Sequence, residues 1–196
     1  MAPIQTVAVV GAGVMGRGIA YGAALGGYRT ILEDLLPNAL RKAEQELRTG
    51  LDDAVKRGVV SATAAQAAFG LVEYAGSVED AAREADFIIE AVPDELESKI
   101  EIFTLLDKIC RPATVLASNT SWLSVSEIAG VTYRLAKCLG MRFVNPVHEM
   151  KVLQIVRTPD TDEETVAAAV ELSRRMGMEA LVVDDQQVSS PTKASI

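Results

Sequence analysis

The 196-residue sequence predicts an α/β chain: a doubly wound, mostly parallel sheet with a protruding helical arm. Three observations carry this. Short apolar runs alternate with helix-patterned stretches along the chain. Those runs are nearly continuous rather than alternating, as in strands buried on both faces. A glycine-rich turn, Val10-Gly11-Ala12-Gly13-Val14-Met15-Gly16, joins the first run to the first helical pattern.

The first strand is expected over 4–10, and its helix, rich in Ala and Gly for close packing, over 14–25. Gly26-Gly27 ends that helix. A second strand over 28–33 closes on Asp34. Pro37 suits the first turn of a long polar helix running to about Arg57, which Gly58 stops. Ser61 is the expected N-cap of a second helix through 68, ended by Gly70. These two helices make the arm. Its charged residues Arg41, Lys42, Glu44, Glu46 and Arg48 read as a solvated face. Further strands are expected over 71–74, 86–92, 113–117, 138–144, 152–156 and 180–183, and further helices over 78–84, 95–109, 125–129 and 163–176. The domain spans 1–185. The polar segment 186–196 offers nothing to bury and reads as a loose tail.

Composition narrows the function classes. The net charge is −8 and no basic run occurs, which disfavours nucleic acid and anionic membranes as partners. No apolar stretch approaches the roughly 18 residues that a membrane span needs. The segment Met1-Ala2-Pro3-Ile4-Gln5 has no basic charge, so no signal peptide is expected. Cys110 and Cys138 are far apart and outside any C-x-x-C pattern. They read as small core residues of a protein in the reducing cytoplasm. No metal site is expected.

The glycine turn carries the chemistry. Gly11 lets the strand turn tightly, Gly13 lets a pyrophosphate approach the backbone, and Gly16 lets the helix pack against the strand. The helix N-terminus then faces the phosphates with free N–H groups and a positive dipole end. Asp34 stands eighteen residues after Gly16, near the spacing of a ribose-binding carboxylate. Strand, turn, helix and acid together predict a Rossmann-type dinucleotide site.

Three further motifs follow this turn, which itself continues as Arg17-Gly18-Ile19-Ala20: Ile89-Glu90-Ala91-Val92-Pro93; Ala117-Ser118-Asn119-Thr120-Ser121; and Phe143-Val144-Asn145-Pro146-Val147-His148-Glu149-Met150-Lys151. In order and spacing, over about residues 4–185, the chain resembles the N-terminal NAD-binding domain of the L-3-hydroxyacyl-CoA dehydrogenase family, which includes 3-hydroxybutyryl-CoA dehydrogenase. The resemblance implies hydride transfer between NAD and C3 of a 3-hydroxyacyl substrate, with an acyl-CoA-like small molecule as partner. It implies that Asp34 binds the adenosine ribose hydroxyls. No Arg or Lys follows Asp34 at once, so a 2′-phosphate would meet an uncompensated carboxylate, which favours NAD over NADP. Asp94, where the family usually has Glu, and Lys99 match positions lining the nicotinamide half of the cofactor. Val14, Met15, Ala91, Val92 and Asn119 fall among the cofactor-binding positions. Ser121 matches the serine that hydrogen-bonds the substrate's C3 oxygen and the catalytic histidine. Asn145 matches the asparagine that supports the nicotinamide and the histidine region.

The sequence also departs from the family. The position of the family's catalytic histidine holds Arg142, and that of the glutamate twelve residues on holds Gln154. A guanidinium stays protonated and cannot serve as general base. Both catalytic positions are therefore altered, which predicts weak or altered family activity. The pair suits a substrate with its own carboxylate, held by Arg142. The alternative is a catalytically silent NAD-binding module or a truncated domain. His148, the single histidine, reads as a loop or packing residue rather than a replacement base. Trp122, where a second serine is common, is expected either to narrow the acyl pocket or to cover the core. The family continues into a Pro-Gly-Phe segment and a helical C-terminal domain that mediates dimerisation. This sequence is expected to lack both, which leaves the oligomeric state open.

Overall fold

A computed structural model of the chain describes residues 3–185, apart from the side chain of His148. The expectations for the N-terminal dipeptide, for the tail 186–196 and for the His148 imidazole lie outside the described residues. Eight strands form: β1 Thr6–Val10, β2 Arg29–Glu33, β3 Val72–Ala75, β4 Phe87–Glu90, β5 Val115–Ser118, β6 Cys138–Arg142, β7 Val152–Arg157 and β8 Glu179–Asp184. Seven α-helices accompany them: α1 Val14–Leu25, α2 Pro37–Lys56, α3 Ala62–Gly70, α4 Val78–Ala82, α5 Leu96–Ile109, α6 Val125–Ala129 and α7 Glu163–Arg175. Every expected strand and helix is present, with ends displaced by a few residues.

The sheet order is β3-β2-β1-β4-β5-β6-β7-β8. Neighbours are parallel at every step except β6 to β7, which is antiparallel. The chain leaves β1 on one side to reach β2 and returns to the other side at β4. That reversal opens a crevice at the carboxyl ends of β1 and β4, where ligands of such sheets bind.

Burial on both faces explains the continuous apolar runs. Val7 and Val9 of β1 point into one core, with Ile19, Ala20 and Ala23 of α1 and Leu172 of α7. Ala8 and Val10 point into the other, with Ala81 of α4, Phe103 and Leu106 of α5 and Ile128 of α6. Truncating Leu106 to Ala would cost about 2–5 kcal/mol, transfer and cavity contributions together.

The helical arm is anchored rather than free. Leu47 and Leu51 of α2 and Ala65 and Ala68 of α3 close over Tyr21 and Ala24 of α1. The charged face of α2 is exposed as expected, and two of its residues also make contacts there. Glu46 approaches Arg17 of α1 at 2.6 Å, and Arg48 lies over the Phe69 ring, 4.4 Å from its centroid. Strand β6 stops at Arg142, two residues short of expectation. Its neighbour β5 has already ended at Ser118, and the next N–H, from Phe143, donates instead to the Asn119 side chain. Single 3₁₀ turns at Leu135–Lys137 and Val147–Glu149 follow no pattern identified in the sequence.

Candidate functional site

The glycine turn has the geometry its spacing predicts. Gly11 adopts φ +101°, and a Cβ there would lie 2.9 Å from the Ala91 carbonyl oxygen. A Cβ on Gly16 would lie 1.8 Å from the Gly11 carbonyl oxygen, so α1 can press against the turn only with glycine at that position. Gly13 differs: a Cβ there meets nothing within 4 Å, and its φ of −65° suits any residue. Its lack of a side chain keeps open space rather than relieving a clash. Helix α1 starts at this opening with no side-chain cap and no acidic residue in its first turn. Its first N–H groups have no intrahelical partner by construction, so they and the dipole remain available to an anion.

The opening is part of a cleft of about 510 Å³. Gly11, Gly13, Val14 and Met15 line it from the turn, and Asp34 from the end of β2. Ala91, Val92, Pro93 and Asp94 line it after β4, and Asn119 and Ser121 after β5. The fold thus collects residues from four separate stretches of sequence. Asp34 accepts the Ala12 N–H through Oδ2 and the Leu36 N–H through Oδ1, both at 2.9 Å. Each oxygen keeps a second lone pair for a hydroxyl. The cleft, the bare helix end and the acceptor at its rim fit a dinucleotide: phosphates at the turn and ribose at Asp34.

Five predicted site residues, Gly16, Lys99, Arg142, Asn145 and Gln154, do not line this cleft. Lys99 lies beneath it, 0% exposed. Its ammonium donates to both oxygens of Glu90 (2.7 and 3.0 Å) and to the carbonyl oxygens of Asn119 (3.0 Å) and Val92 (3.4 Å). Glu90 is completed by the Ser118 hydroxyl at 2.6 Å and the Val92 N–H at 2.8 Å. Burial pushes the Glu90 carboxyl above its ordinary range, and the Lys99 charge pulls it back. This buried network holds the backbone of both loops that carry the cleft wall. Neither Glu90 nor Ser118 stood out as a functional residue in the sequence, although a carboxylate closing the apolar run Phe87-Ile88-Ile89 was a usable signal.

Above the network, Asp94 Oδ2 accepts the Ser121 N–H at 3.0 Å, which ties the loop after β4 to the loop after β5. Thr120, which sequence reasoning missed, is buried and accepts the Leu123 N–H at 3.0 Å, shaping the turn that presents Ser121. Trp122 is 58% exposed, so it does not cover the core.

Asn145 belongs to a second cleft, of about 530 Å³, between α1, the arm and the cis Asn145–Pro146 turn. The two clefts share Val14. Arg17, Lys56 and Arg57 give the second one a cationic rim, partly balanced by Glu46 and Asp53. It was not foreseen, because its charges are spread over two helices that meet only in the fold.

Arg142 ends β6, and Gln154 stands directly opposite it across the antiparallel pair with β7. Neither lines either of these two clefts. Arg142 is partly buried; its Nε is shut off from solvent and has no hydrogen-bond partner. No general base stands at this position. The two cysteines are buried and free, and burial pushes each thiol up to about 11. Among the described residues, no cluster of His, Cys, Asp and Glu could hold a metal, and no helix is long and apolar enough to cross a membrane.

Residues 6–186 match the family model described as 3-hydroxyacyl-CoA dehydrogenase, NAD binding domain. A probable 3-hydroxybutyryl-CoA dehydrogenase of Bacillus subtilis is 37% identical over 182 residues, which is 93% of this chain and 63% of that protein. The crystal structure of 3-hydroxybutyryl-CoA dehydrogenase from Escherichia coli superposes with a TM-score of 0.90 at 32% identity, over 93% of this chain and 39% of that one. That of (S)-3-hydroxybutyryl-CoA dehydrogenase from Ralstonia eutropha gives 0.89 at 31%, over 93% and 64%. The chain spans less than two thirds of the length of each of these relatives.

Proposed function

Because the chain belongs to the 3-hydroxyacyl-CoA dehydrogenase family through its NAD-binding domain, we propose that it serves a dehydrogenase reaction on a 3-hydroxyacyl substrate, with altered handling of the proton. NAD is the cofactor. The observation that carries this reading is the cleft at Gly11, Gly13 and Asp34, which has an uncapped helix end at one side and Ser121 at the other. When bound, NAD accepts the hydride that leaves C3 of the alcohol.

The residues of the chain then divide the remaining work. The free N–H groups at the start of α1 hold the pyrophosphate, and Asp34 holds the ribose. Asp94 fixes the loop of Ser121, whose hydroxyl is placed to bond the substrate oxygen. Asn145 supports the nicotinamide side from the turn after β6. The cationic rim of the second cleft suits an acyl-CoA-like molecule, whose phosphates need Arg17, Lys56 and Arg57 while its acyl end reaches Asn145. The proton that leaves the alcohol oxygen passes to water through Ser121, since Arg142 cannot take it. General acid–base help is typically worth about 10²–10⁴-fold, so turnover on simple 3-hydroxyacyl-CoA is slow by that order. The same observation at Arg142 supports a second reading, a module that binds NAD without catalysis. Two buried free thiols suit the reducing cytoplasm.

Titration with NADH, followed by its fluorescence, tests the first step; no saturable binding up to millimolar concentration overturns the reading. Oxidation of NADH by acetoacetyl-CoA separates the two alternatives. Slow but measurable turnover supports the enzyme, and none at all the silent module.

A further inference from the structure

We propose that Arg17 is a positioning residue for the cofactor site: it holds the Ala12 carbonyl oxygen so that the free Gly13 N–H is presented to the pyrophosphate. This rests on the NAD reading above and names a residue outside the cofactor cleft on which that site depends.

The hydrogen bonds of the glycine turn divide at one peptide unit. Gly11 donates its N–H to the Glu33 carbonyl oxygen and Ala12 donates to Asp34 Oδ2, both at 2.9 Å, so the start of the turn is tied to the end of β2. The Gly13 N–H has no acceptor among the described residues, and Gly13 lines the cofactor cleft. The carbonyl of that same peptide unit belongs to Ala12, and it accepts from Arg17 Nη1 at 2.9 Å. The peptide is trans. Its C=O and N–H therefore point in opposite directions, and fixing one aims the other. Ala12 is buried, where a backbone carbonyl needs a partner, and Arg17 supplies it.

Local geometry brings Arg17 to this carbonyl. Side chains on a helix lean toward its N-terminus, so the fourth residue of α1 reaches back over the turn that precedes it. The arm holds the guanidinium from its other side, where Nε lies 2.6 Å from Glu46 Oε2 of α2. This contact pairs charges rather than forming an aligned hydrogen bond, since Nε is shut off from solvent and has no acceptor in bonding geometry. The Glu46 carboxylate is half exposed, and such a pair adds little to stability. Its effect is on where the guanidinium stands, and through Ala12 on the direction of the Gly13 N–H. Arg17 itself lines the second cleft and not the cofactor cleft, so its action on the pyrophosphate passes through the turn.

The test uses the whole chain, isotope-labelled for amide NMR, with ADP-ribose and adenosine as ligands. Both carry the ribose expected at Asp34, and only ADP-ribose carries the pyrophosphate. Arg17→Met should weaken ADP-ribose about tenfold, the order of one hydrogen bond to a charged group, and leave adenosine within about twofold. Arg17→Lys should recover part of the loss, since it keeps the charge but not the planar fork. In the parent, ADP-ribose should move the Gly13 amide proton downfield as that N–H gains a phosphate acceptor, and Arg17→Met should abolish the shift. Unchanged ADP-ribose affinity in Arg17→Met overturns the proposal. So does an equal loss for both ligands, or a Gly13 shift that persists. If Arg17→Met fails to fold, Arg17→Lys carries the comparison: a partial loss confined to ADP-ribose supports the role, and none overturns it. If ADP-ribose does not bind the parent, the cofactor reading fails on its own. The ligand-free Gly13 amide then decides the role of Arg17, since losing the donor at Ala12 should displace its resonance and an unmoved one overturns the proposal.

Discussion

Lys99 and Glu90 form an ion pair at 2.7 Å with neither side chain exposed to solvent. The pair sits under the cleft and joins the end of β4 to α5, and through Ser118 and the Asn119 carbonyl oxygen to the end of β5. A buried ion pair gains little over well-packed apolar residues, but breaking it strands a charge in the interior. Its value here is positional: one ammonium fixes the carbonyl oxygens of Val92 and Asn119, whose residues line the cofactor cleft.

Lys99→Met should therefore destabilise the fold by about 3–5 kcal/mol, because Glu90 loses its counter-charge. Pairing it with Glu90→Gln should return much of that loss. Urea unfolding of the two variants measures the difference. A single variant within about 1 kcal/mol of the parent would show that the pair is not the support described.

Gly13 and Gly16 should separate folding from binding. Gly13→Val meets open space and an ordinary φ, so stability should stay within about 0.5 kcal/mol. NADH affinity should still fall at least tenfold, because the side chain would occupy the space left for phosphate. Gly16→Ala meets a backbone oxygen at 1.8 Å and should cost roughly 1–3 kcal/mol before any ligand is added. Parallel melting curves and NADH titrations compare the two.

Asp34→Ser should weaken NADH binding by about ten- to a hundredfold, the range for one hydrogen bond to a charged group. The loss for NADPH should be smaller, since the carboxylate that repels a 2′-phosphate is gone. Competition between the two cofactors reads the ratio. An unchanged ratio would remove Asp34 from the ribose.

Glu33 should make stability depend on pH. It is buried at the end of β2, and one carboxylate oxygen has no partner. Burial and, secondarily, the neighbouring Asp34 charge push its carboxyl up to about 7. A folded value above the unfolded one means that the folded state holds the proton more tightly. Its contribution is fully present below about 4.5 and is lost as the pH rises through about 7. The loss is about 3 kcal/mol, at 1.36 kcal/mol per pH unit. Glu33→Gln should flatten this slope in urea midpoints measured between pH 5 and 8. A slope unchanged by the substitution would assign it to other groups.

Arg142→His with Gln154→Glu should raise NADH oxidation by acetoacetyl-CoA about 10²–10⁴-fold. The pair supplies a base and a carboxylate to orient it, placed opposite each other by the β6–β7 register. Equal rates in parent and double variant would mean that the parent moves the proton by another route.

The local order of the chain was legible in the sequence because it depends on short-range physics. Short, continuous, β-branched apolar runs between turn residues read as buried strands, Gly11 and Gly16 mark a turn that no side chain fits, and Pro37 and Ser61 mark helix starts. The glycine turn with Asp34, and the motifs downstream of it, also pointed to NAD and to the right family. Tertiary structure decided what depends on contacts between distant segments. It put Lys99 under the cleft rather than in it, since an ammonium enters an apolar interior only where Glu90 and two carbonyl oxygens converge. It anchored the arm on α1, and it drew Arg17, Lys56, Arg57 and Asn145 around one second cleft. It also set Arg142 opposite a neutral Gln154. The sequence shows which two residues differ from the family pattern, but only the pairing of β6 with β7 shows that they face each other.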